Sequence, residues 1–84
     1  MTREEIEEIN PEALLCDGFD EAIIGMAERI NLGPVVAYDV DKMIDIMIER
    51  DGMDYEEAIE FFDFNIAGAW MGDYTPVYIR KGTY

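Results

Sequence analysis

The segment PVVAYDVDKMIDIMIERDG, residues 34–52, combines the signature of a strand with that of a helix directly after it. Its first five residues are mostly β-branched or aromatic and lie between a Gly-Pro pair and an aspartate, which is typical of a short strand. Asp39 or Asp41 can cap the helix, and Asp51 with Gly52 can end it near Arg50. Its apolar residues recur at the spacing of one buried face: Val40, Met43, Ile44, Met47 and Ile48.

After this segment, Asp54 and Glu57 have the spacing of a capping box. We therefore predict a third helix from Tyr55 towards Ala67 or beyond, with its inward face formed by Ala58, Ile59, Phe62 and Ile66. Residues 75–80, TPVYIR, predict a second strand, whose proline favours a sheet edge or a strand start.

The amino-terminal third of the chain predicts further helices. Thr2 and Glu5 fit a capping box for a short acidic helix over residues 3–9, with fraying as the alternative. The Asn-Pro pair at residues 10–11 predicts a short helix through Leu15. The clearest helical pattern follows, where one face would carry Phe19, Ala22, Ile23, Met26, Ala27 and Ile30.

Together these elements predict an α+β fold in which three or four helices pack on one face of a small two-stranded sheet. Two strands alone are marginally stable, so the helices are expected to supply most of the core. The 84 residues are expected to form a single domain over residues 1–84. A domain this short buries only about 60–65% of the surface of its unfolded chain.

The charge of the chain excludes several classes of partner. Six Lys and Arg stand against 20 Asp and Glu, which gives a formal net charge of −14. Nucleic acid and anionic membranes held by basic contacts are excluded, because phosphate groups are bound by Lys and Arg. The chain has no His, so imidazole bases and His-ligated zinc are excluded as well. Neither a signal peptide nor a membrane span is expected from the acidic N-terminus and the short apolar runs.

Two rows of acidic residues are the most informative feature of the sequence. The first acidic row, at i, i+4 and i+8, is Asp41, Asp45 and Glu49, and the second acidic row, at i, i+4 and i+7, is Glu56, Glu60 and Asp63. Like charges at such spacing destabilise an isolated helix by about 0.2–0.5 kcal/mol per pair. The rows predict either an ordinary solvated face or a surface that presents phosphate-like charge to a basic groove on a partner protein.

The run FFDFNIAGAWMG, residues 61–72, is rich in large apolar side chains that cannot share one helix face. We expect it to be a central core element, because large aromatic residues are usually buried. The alternative is that Phe61, Phe64 or Trp70 builds an apolar patch for self-association or for a partner.

Signals for catalysis are weak. The DVD triplet at residues 39–41 resembles a metal-binding acidic pair, but Ile44 and Arg50 stand where a calcium loop requires Gly and Glu. Cys16 lies beside Asp17 rather than beside a basic residue, so we expect it to be a small buried apolar residue. We predict no enzyme, no cofactor and no metal site.

A series of short motifs runs through residues 10–79: DGF at 17–19, AIIG at 22–25, YD at 38–39, DGM at 51–53, YEEA at 55–58, FN at 64–65 and TP at 75–76. In these motifs the chain resembles a group of small proteins encoded by tailed bacteriophages and prophages. The group has no established activity, so the resemblance implies a setting, the cytoplasm of the bacterial host, and no site residues.

These observations predict a non-catalytic phage accessory protein that binds a host or phage protein with a basic surface. Small acidic phage proteins often block restriction, repair or CRISPR machinery, so an inhibitor of the DNA-mimic or anti-CRISPR kind is the expected function. The six residues of the two acidic rows are the predicted contact residues. The alternative is a structural or adaptor module that acts through an apolar patch or as a homodimer.

Overall fold

The computed structural model describes residues 1–82 and contains three α-helices and a three-stranded mixed sheet. In chain order the elements are α1 (Arg3–Ile9), β1 (Ile23–Arg29), β2 (Leu32–Asp39), α2 (Val40–Asp51), α3 (Tyr55–Phe61) and β3 (Val77–Ile79). A 3₁₀ turn (Asp20–Ala22) precedes β1, and a π-helix (Phe62–Ala67) continues α3. The predicted α+β class is confirmed, whereas the sheet has three strands rather than two.

The central strand of the sheet is β2, which pairs antiparallel with β1 and parallel with β3. Residues 35–38 are all buried, and because neighbours on a strand point to opposite faces, both faces of β2 are covered. The strand predicted over residues 34–38 is confirmed within this longer strand. The strand predicted over residues 75–80 is confirmed as the shorter edge strand β3, which begins directly after Pro76.

The helix predicted with its apolar face between Phe19 and Ile30 is wrong, because most of this stretch forms β1. Its Met26 lies opposite Val36 in the antiparallel pair. The chain reverses just before β2 at Asn31, whose φ of 63° lies in the left-handed region that Asn tolerates better than most residues. This short turn allows β1 to pair with the buried strand β2. In addition, Gly25 and the β-branched residues before it are weak helix formers.

Helix α2 and the helix after it begin where the sequence predicts. Asp39, not Asp41, caps α2 and accepts a hydrogen bond from the amide of Lys42 at 3.2 Å. Gly52, with φ 69°, follows α2 in the left-handed conformation typical of a helix end. The capping box before α3 is also present, and the predicted length of that helix is reached through the π-helix.

The amino-terminal helix predicted over residues 3–9 is confirmed as α1, whereas the short helix predicted through Leu15 is wrong. Asn10 follows α1 instead of starting a new helix. Its Nδ2 donates to the carbonyl of Pro34 at 2.8 Å, and its Oδ1 accepts from the amide of Glu12 at 3.1 Å. These bonds tie the chain to β2 and hold the next residues in a turn.

The core joins the helices to β2. Its buried cluster consists of Ile6, Phe19, Ala22, Val36, Tyr38, Val40, Met43, Ile44, Met47, Ala58, Phe62 and Ile66. The Tyr38 hydroxyl accepts a hydrogen bond from the Cys16 amide at 2.7 Å, and its ring stacks on Tyr78 with centroids 6.1 Å apart. These contacts attach the segment after α1 and strand β3 to the core. No helix among residues 1–82 is long and apolar enough to cross a membrane.

Candidate functional site

The first acidic row lies on the exposed side of α2. Asp41, Asp45 and Glu49 are all exposed, while the opposite face of the helix is buried. Glu49 also lines an open hollow together with Asp20 and Glu21. Within residues 1–82, no Lys or Arg forms a salt bridge with a member of this row. The row therefore presents negative charge to solvent, which the nearby cations Lys81 (beside Asp41) and Arg50 (in the hollow with Glu49) offset only in part.

One member of the second acidic row is paired with a cation. Glu56, Glu60 and Asp63 are exposed, but Asp63 accepts a hydrogen bond from Arg80 at 3.1 Å in a salt bridge that neutralises the end of the row. Glu60 lines a different hollow from Glu49. Because their members line separate hollows, we treat the two rows as separate acidic surfaces.

The cationic side chains are largely engaged by other groups of the protein. All six lie within the described chain, and five of them contact acceptors there. These five are Arg3 with Asp17 and Asp20, Arg50 with Asp51, Arg80 with Asp63, Lys81 with Asp39, and Arg29 with the carbonyl oxygens of Gly33 and Asp73. The Lys81 ammonium holds the pKa of the Asp39 carboxyl below its usual range. The remaining cation, Lys42, is exposed on α2.

The run at residues 61–72 divides between the core and the surface. Phe62 and Ile66 are buried, as expected. The interpretation of the whole run as core is wrong, because the inward face of the helix has room for only part of it. The exposed members, with their exposed fractions, are Phe64 (80%), Trp70 (74%), Met71 (69%) and Phe61 (39%).

Two of these exposed rings share a hollow with two carboxylates. The lining of this acidic hollow, which has a volume of about 320 Å³, is Met53, Glu57, Glu60, Phe61, Phe64 and Asn65. In the described chain, neither glutamate forms a salt bridge. Carboxylates bind Lys and Arg through charge-assisted hydrogen bonds, and the face of an aromatic ring also attracts cations. The rings and the carboxylates therefore favour the same kind of ligand, a Lys or Arg side chain.

A second cavity, the apolar groove, lies on the other side of Phe61. Its volume is about 420 Å³, and its mostly apolar walls come from residues 14–19, the end of α2, residues 61–71 and residues 75–78. Phe61 and Asn65 line both the apolar groove and the acidic hollow. The two cavities are thus adjacent parts of one surface.

Cys16 and Tyr78 are polar groups in the wall of the apolar groove, and Tyr38, which contacts both, is fully buried beneath it. This residue is half-buried rather than fully buried, and its Sγ lies 3.4 Å from the hydroxyl of Tyr78. Burial raises the pKa of the Cys16 thiol, and burial raises the pKa of Tyr38 to about 12. Burial also raises the pKa of the Tyr78 hydroxyl. All three groups are therefore neutral at pH 7.

Arg50 is a cation at the edge of the apolar groove, and its guanidinium is already engaged. Its Nη1 donates to the carbonyl of Gly18 at 2.7 Å, and its Nη2 donates to Asp51 at 2.8 Å. The guanidinium carbon also lies 5.0 Å from the centre of the Phe19 ring. Arg50 thus links α2 to the turn before β1 in the wall of the groove.

Comparisons with protein families, with curated proteins and with solved structures find no match to this chain. Among residues 1–82, no three Cys, Asp or Glu side chains are placed to hold a metal ion. The candidate site is therefore defined by its own geometry, an acidic hollow beside an apolar groove.

The sequence predicts Glu60 as a contact residue and, as an alternative, Phe61 and Phe64 as an apolar patch, but the structure places them together with Glu57 in one hollow. A signal for them exists, because positions 57, 60, 61 and 64 have the i, i+3, i+4, i+7 spacing of one helix face. The same run also contains the core residues Phe62 and Ile66, which favours its interpretation as a core element over a surface patch. No comparable signal predicts the apolar groove, whose walls come together only in the folded chain.

Proposed function

We propose that this protein is a non-catalytic accessory protein of a bacteriophage that acts in the cytoplasm of the bacterial host. It binds a basic surface of a host or phage protein. The consequence is inhibition of a nucleic-acid-handling or defence complex, because such complexes hold phosphate groups in basic grooves. The resemblance to phage and prophage proteins supports the setting, and the acidic surface supports the choice of partner.

The acidic hollow is the observation that carries this proposal. Glu57 and Glu60 stand beside the exposed rings of Phe61 and Phe64. A Lys or Arg of the partner that enters the hollow contacts both carboxylates and an aromatic face. A face maintained only for solubility has no need of exposed aromatic side chains, because such side chains promote association.

The remaining charge of the protein contributes attraction at longer range. A net charge of −14 steers the protein towards a cationic partner. Along the first acidic row, successive carboxylates are separated by about 6 Å of helix axis at 1.5 Å per residue. Duplex DNA carries one charge per about 1.7 Å, so the mimicry of DNA is coarse. Steering thus comes from the whole acidic surface, and recognition comes from the acidic hollow.

Affinity capture tests this proposal. Tagged protein is incubated with a lysate of phage-infected bacteria at 50 and at 500 mM NaCl, and bound proteins are identified by mass spectrometry. The Debye length falls about threefold between these conditions. We expect a basic protein to be captured strongly in low salt and weakly in high salt, and its nucleic-acid-dependent activity to fall when the purified protein is added. Glu60→Lys and Phe64→Ala are each expected to reduce capture in low salt.

Glu28→Lys is the matched control, because Glu28 is exposed on β1, outside the hollow, and gives the same change of net charge. We expect it to leave capture nearly unchanged. An equal loss with Glu28→Lys and Glu60→Lys would show that only total charge matters, which contradicts recognition at the hollow. Capture that is the same at both salt concentrations would contradict the electrostatic basis of the proposal.

A second candidate function is a structural or adaptor module that works as a homodimer. The exposed Trp70 and Met71 support it, since large exposed apolar side chains are typical of association surfaces. Light scattering of the purified protein distinguishes the two functions. A monomer at both salt concentrations favours the acidic binding module, whereas a tight dimer that persists in 50 mM NaCl favours the adaptor.

A further inference from the structure

The apolar groove and the acidic hollow are separated only by side chains that belong to both. Phe61 and Asn65 line each cavity. A ligand that crosses Phe61 therefore contacts apolar walls on one side and carboxylates on the other. The groove volume, about 420 Å³, lies within the range of about 300–1,000 Å³ that is common for ligand-binding clefts.

The charges around the groove favour a positively charged ligand. Asp17 and Asp51 line the groove, each in an ion pair at the surface. Beyond Phe61, the described chain provides Glu57 and Glu60, which form no salt bridge there. The guanidinium of Arg50, at the edge of the groove, is held by Asp51 and by a backbone carbonyl. The side chains that line the groove and the acidic hollow therefore carry a net negative charge.

We infer that the apolar groove receives a large apolar side chain from a basic peptide segment of the partner. The segment carries Leu, Ile, Met, Phe or Trp for the groove and, within about four residues, Lys or Arg for the acidic hollow. The inference rests on the proposed function and specifies which kind of partner segment binds. A second copy of this chain is a poor occupant, because two chains of charge −14 repel each other. An acidic peptide is disfavoured for the same reason.

A random library of displayed 12-residue peptides provides the probe. It is selected against the immobilised wild-type protein at 50 mM NaCl, and enriched peptides are then synthesised and measured by fluorescence anisotropy. We expect enriched peptides to combine a large apolar residue with at least two neighbouring Lys or Arg. Enrichment of acidic peptides, of peptides without a large apolar residue, or of no peptide above background would overturn the inference.

Groove occupancy is tested with two tryptophan substitutions. Ala69 is half-buried in the groove wall, so Ala69→Trp fills the groove, whereas Ala67 is exposed and does not line it. We expect Ala69→Trp to weaken peptide binding at least tenfold at both 50 and 500 mM NaCl and Ala67→Trp to change it less than twofold. Equal affinities for Ala69→Trp and wild type would refute the placement of the peptide in the groove.

Cys16 gives a second measurement that needs no substitution. It is the only cysteine of the chain and lies in the groove wall, so its rate of alkylation by iodoacetamide reports on groove occupancy. We expect saturating peptide to slow this alkylation at least fivefold. An unchanged rate would place the peptide elsewhere, even if the Ala69→Trp variant failed to fold.

The two proposals fail in different ways. If Glu60→Lys abolishes peptide binding while Ala69→Trp and Cys16 alkylation are unaffected, the groove inference is wrong and the proposed function stands. If Ala69→Trp abolishes binding while Glu60→Lys and 500 mM NaCl have no effect, the basic character of the partner is wrong, and both the inference and the proposed function fall.

Discussion

Replacing Glu49 by Lys tests whether the first acidic row is retained at the expense of stability. Glu49 lies in the last turn of α2, where the negative end of the helix dipole disfavours an anion. It stands one turn after Asp45 and lines a hollow with Asp20 and Glu21. Negative potential thus reaches this carboxylate from the helix end and from its own row, whereas in the hollow Asp20 is paired with Arg3 and Arg50 is a second cation. A cation at position 49 would be attracted by the helix end and by Asp45.

We expect Glu49→Lys to stabilise the protein by about 1 kcal/mol. Replacing the like-charge pair with Asp45 by an opposite-charge pair contributes about 0.4–1 kcal/mol. Exchanging an anion for a cation in the last turn contributes about 0.6 kcal/mol or more at low ionic strength. Solvent screening at this exposed position reduces the sum, so the lower end applies. For a domain of this size, about 1 kcal/mol corresponds to a rise in Tm of roughly 4–8 °C.

Thermal unfolding followed by circular dichroism at pH 7 measures the effect in low salt and in 1 M NaCl. The gain is expected to shrink in 1 M NaCl, where the Debye length is about 3 Å. Glu28→Lys makes the same change of net charge on a strand and is expected to stay within about 0.5 kcal/mol of wild type. A Glu49→Lys variant no more stable than wild type, or an equal gain in the Glu28→Lys control, would refute the local electrostatic argument.

Two further predictions concern the core and the pH dependence of stability. Phe62→Ala is expected to lower the free energy of unfolding by about 3–5 kcal/mol in urea titrations, because the buried ring packs edge-to-face on Tyr78. Phe64→Ala is expected to change it by less than about 0.5 kcal/mol, and equal losses would contradict the division between core and surface. For Asp39, Lys81 lowers the carboxyl pKa, so the ionised form stabilises the fold above the unfolded pKa of about 4, and this stabilisation is lost as the pH falls through the lowered pKa. Asp39→Asn, which keeps a capping side chain, is therefore expected to be less stable than wild type at pH 7 and equally stable once the pH lies below the lowered pKa of Asp39; unfolding curves with a pH-independent difference would disprove this.

Local signals explain which elements could be predicted from the sequence. The caps at Asp39 and Asp54 act within three residues of their helices, and Gly52 acts at the residue where α2 stops. These interactions need no information about the rest of the fold. The predicted boundaries of α2 and the start of α3 were therefore accurate.

Non-local pairing explains the main error in the predicted fold. The apolar residues at 19–30 fit a helical period, and their spacing alone does not distinguish a helix from β1. The choice is made by β2, which presents a buried strand that needs hydrogen-bonded neighbours on each side. Asn31 then supplies the left-handed turn residue that a hairpin connection requires. Asn31 is compatible with both structures, because Asn is common at helix ends as well as in hairpin turns.

The sequence predicts that the site is acidic, but it does not predict how the side chains of the site are arranged. The exposure of both acidic rows follows from helical spacing, which the sequence contains. The salt bridge between Asp63 and Arg80 joins residues 17 positions apart, and no local pattern predicts it. This bridge also makes Asp63→Lys an unsuitable test of binding, because the substitution would place two cations side by side. Glu60, which has no such bridge in the described chain, is the better position.

For the proposed basic partner, the salt dependence of binding separates the contribution of the acidic hollow from that of the apolar groove. Attraction between the acidic hollow and a cation weakens as the Debye length shortens. Burial of an apolar side chain in the groove does not weaken in this way, because it depends on the apolar area removed from water. The binding that persists at 500 mM NaCl is therefore the part due to the groove, and Ala69→Trp is expected to remove it. The part lost between 50 and 500 mM NaCl is due to the hollow and the acidic rows, and Glu60→Lys is expected to reduce it. For a partner that binds only through charge, Ala69→Trp would not weaken binding further at 500 mM NaCl.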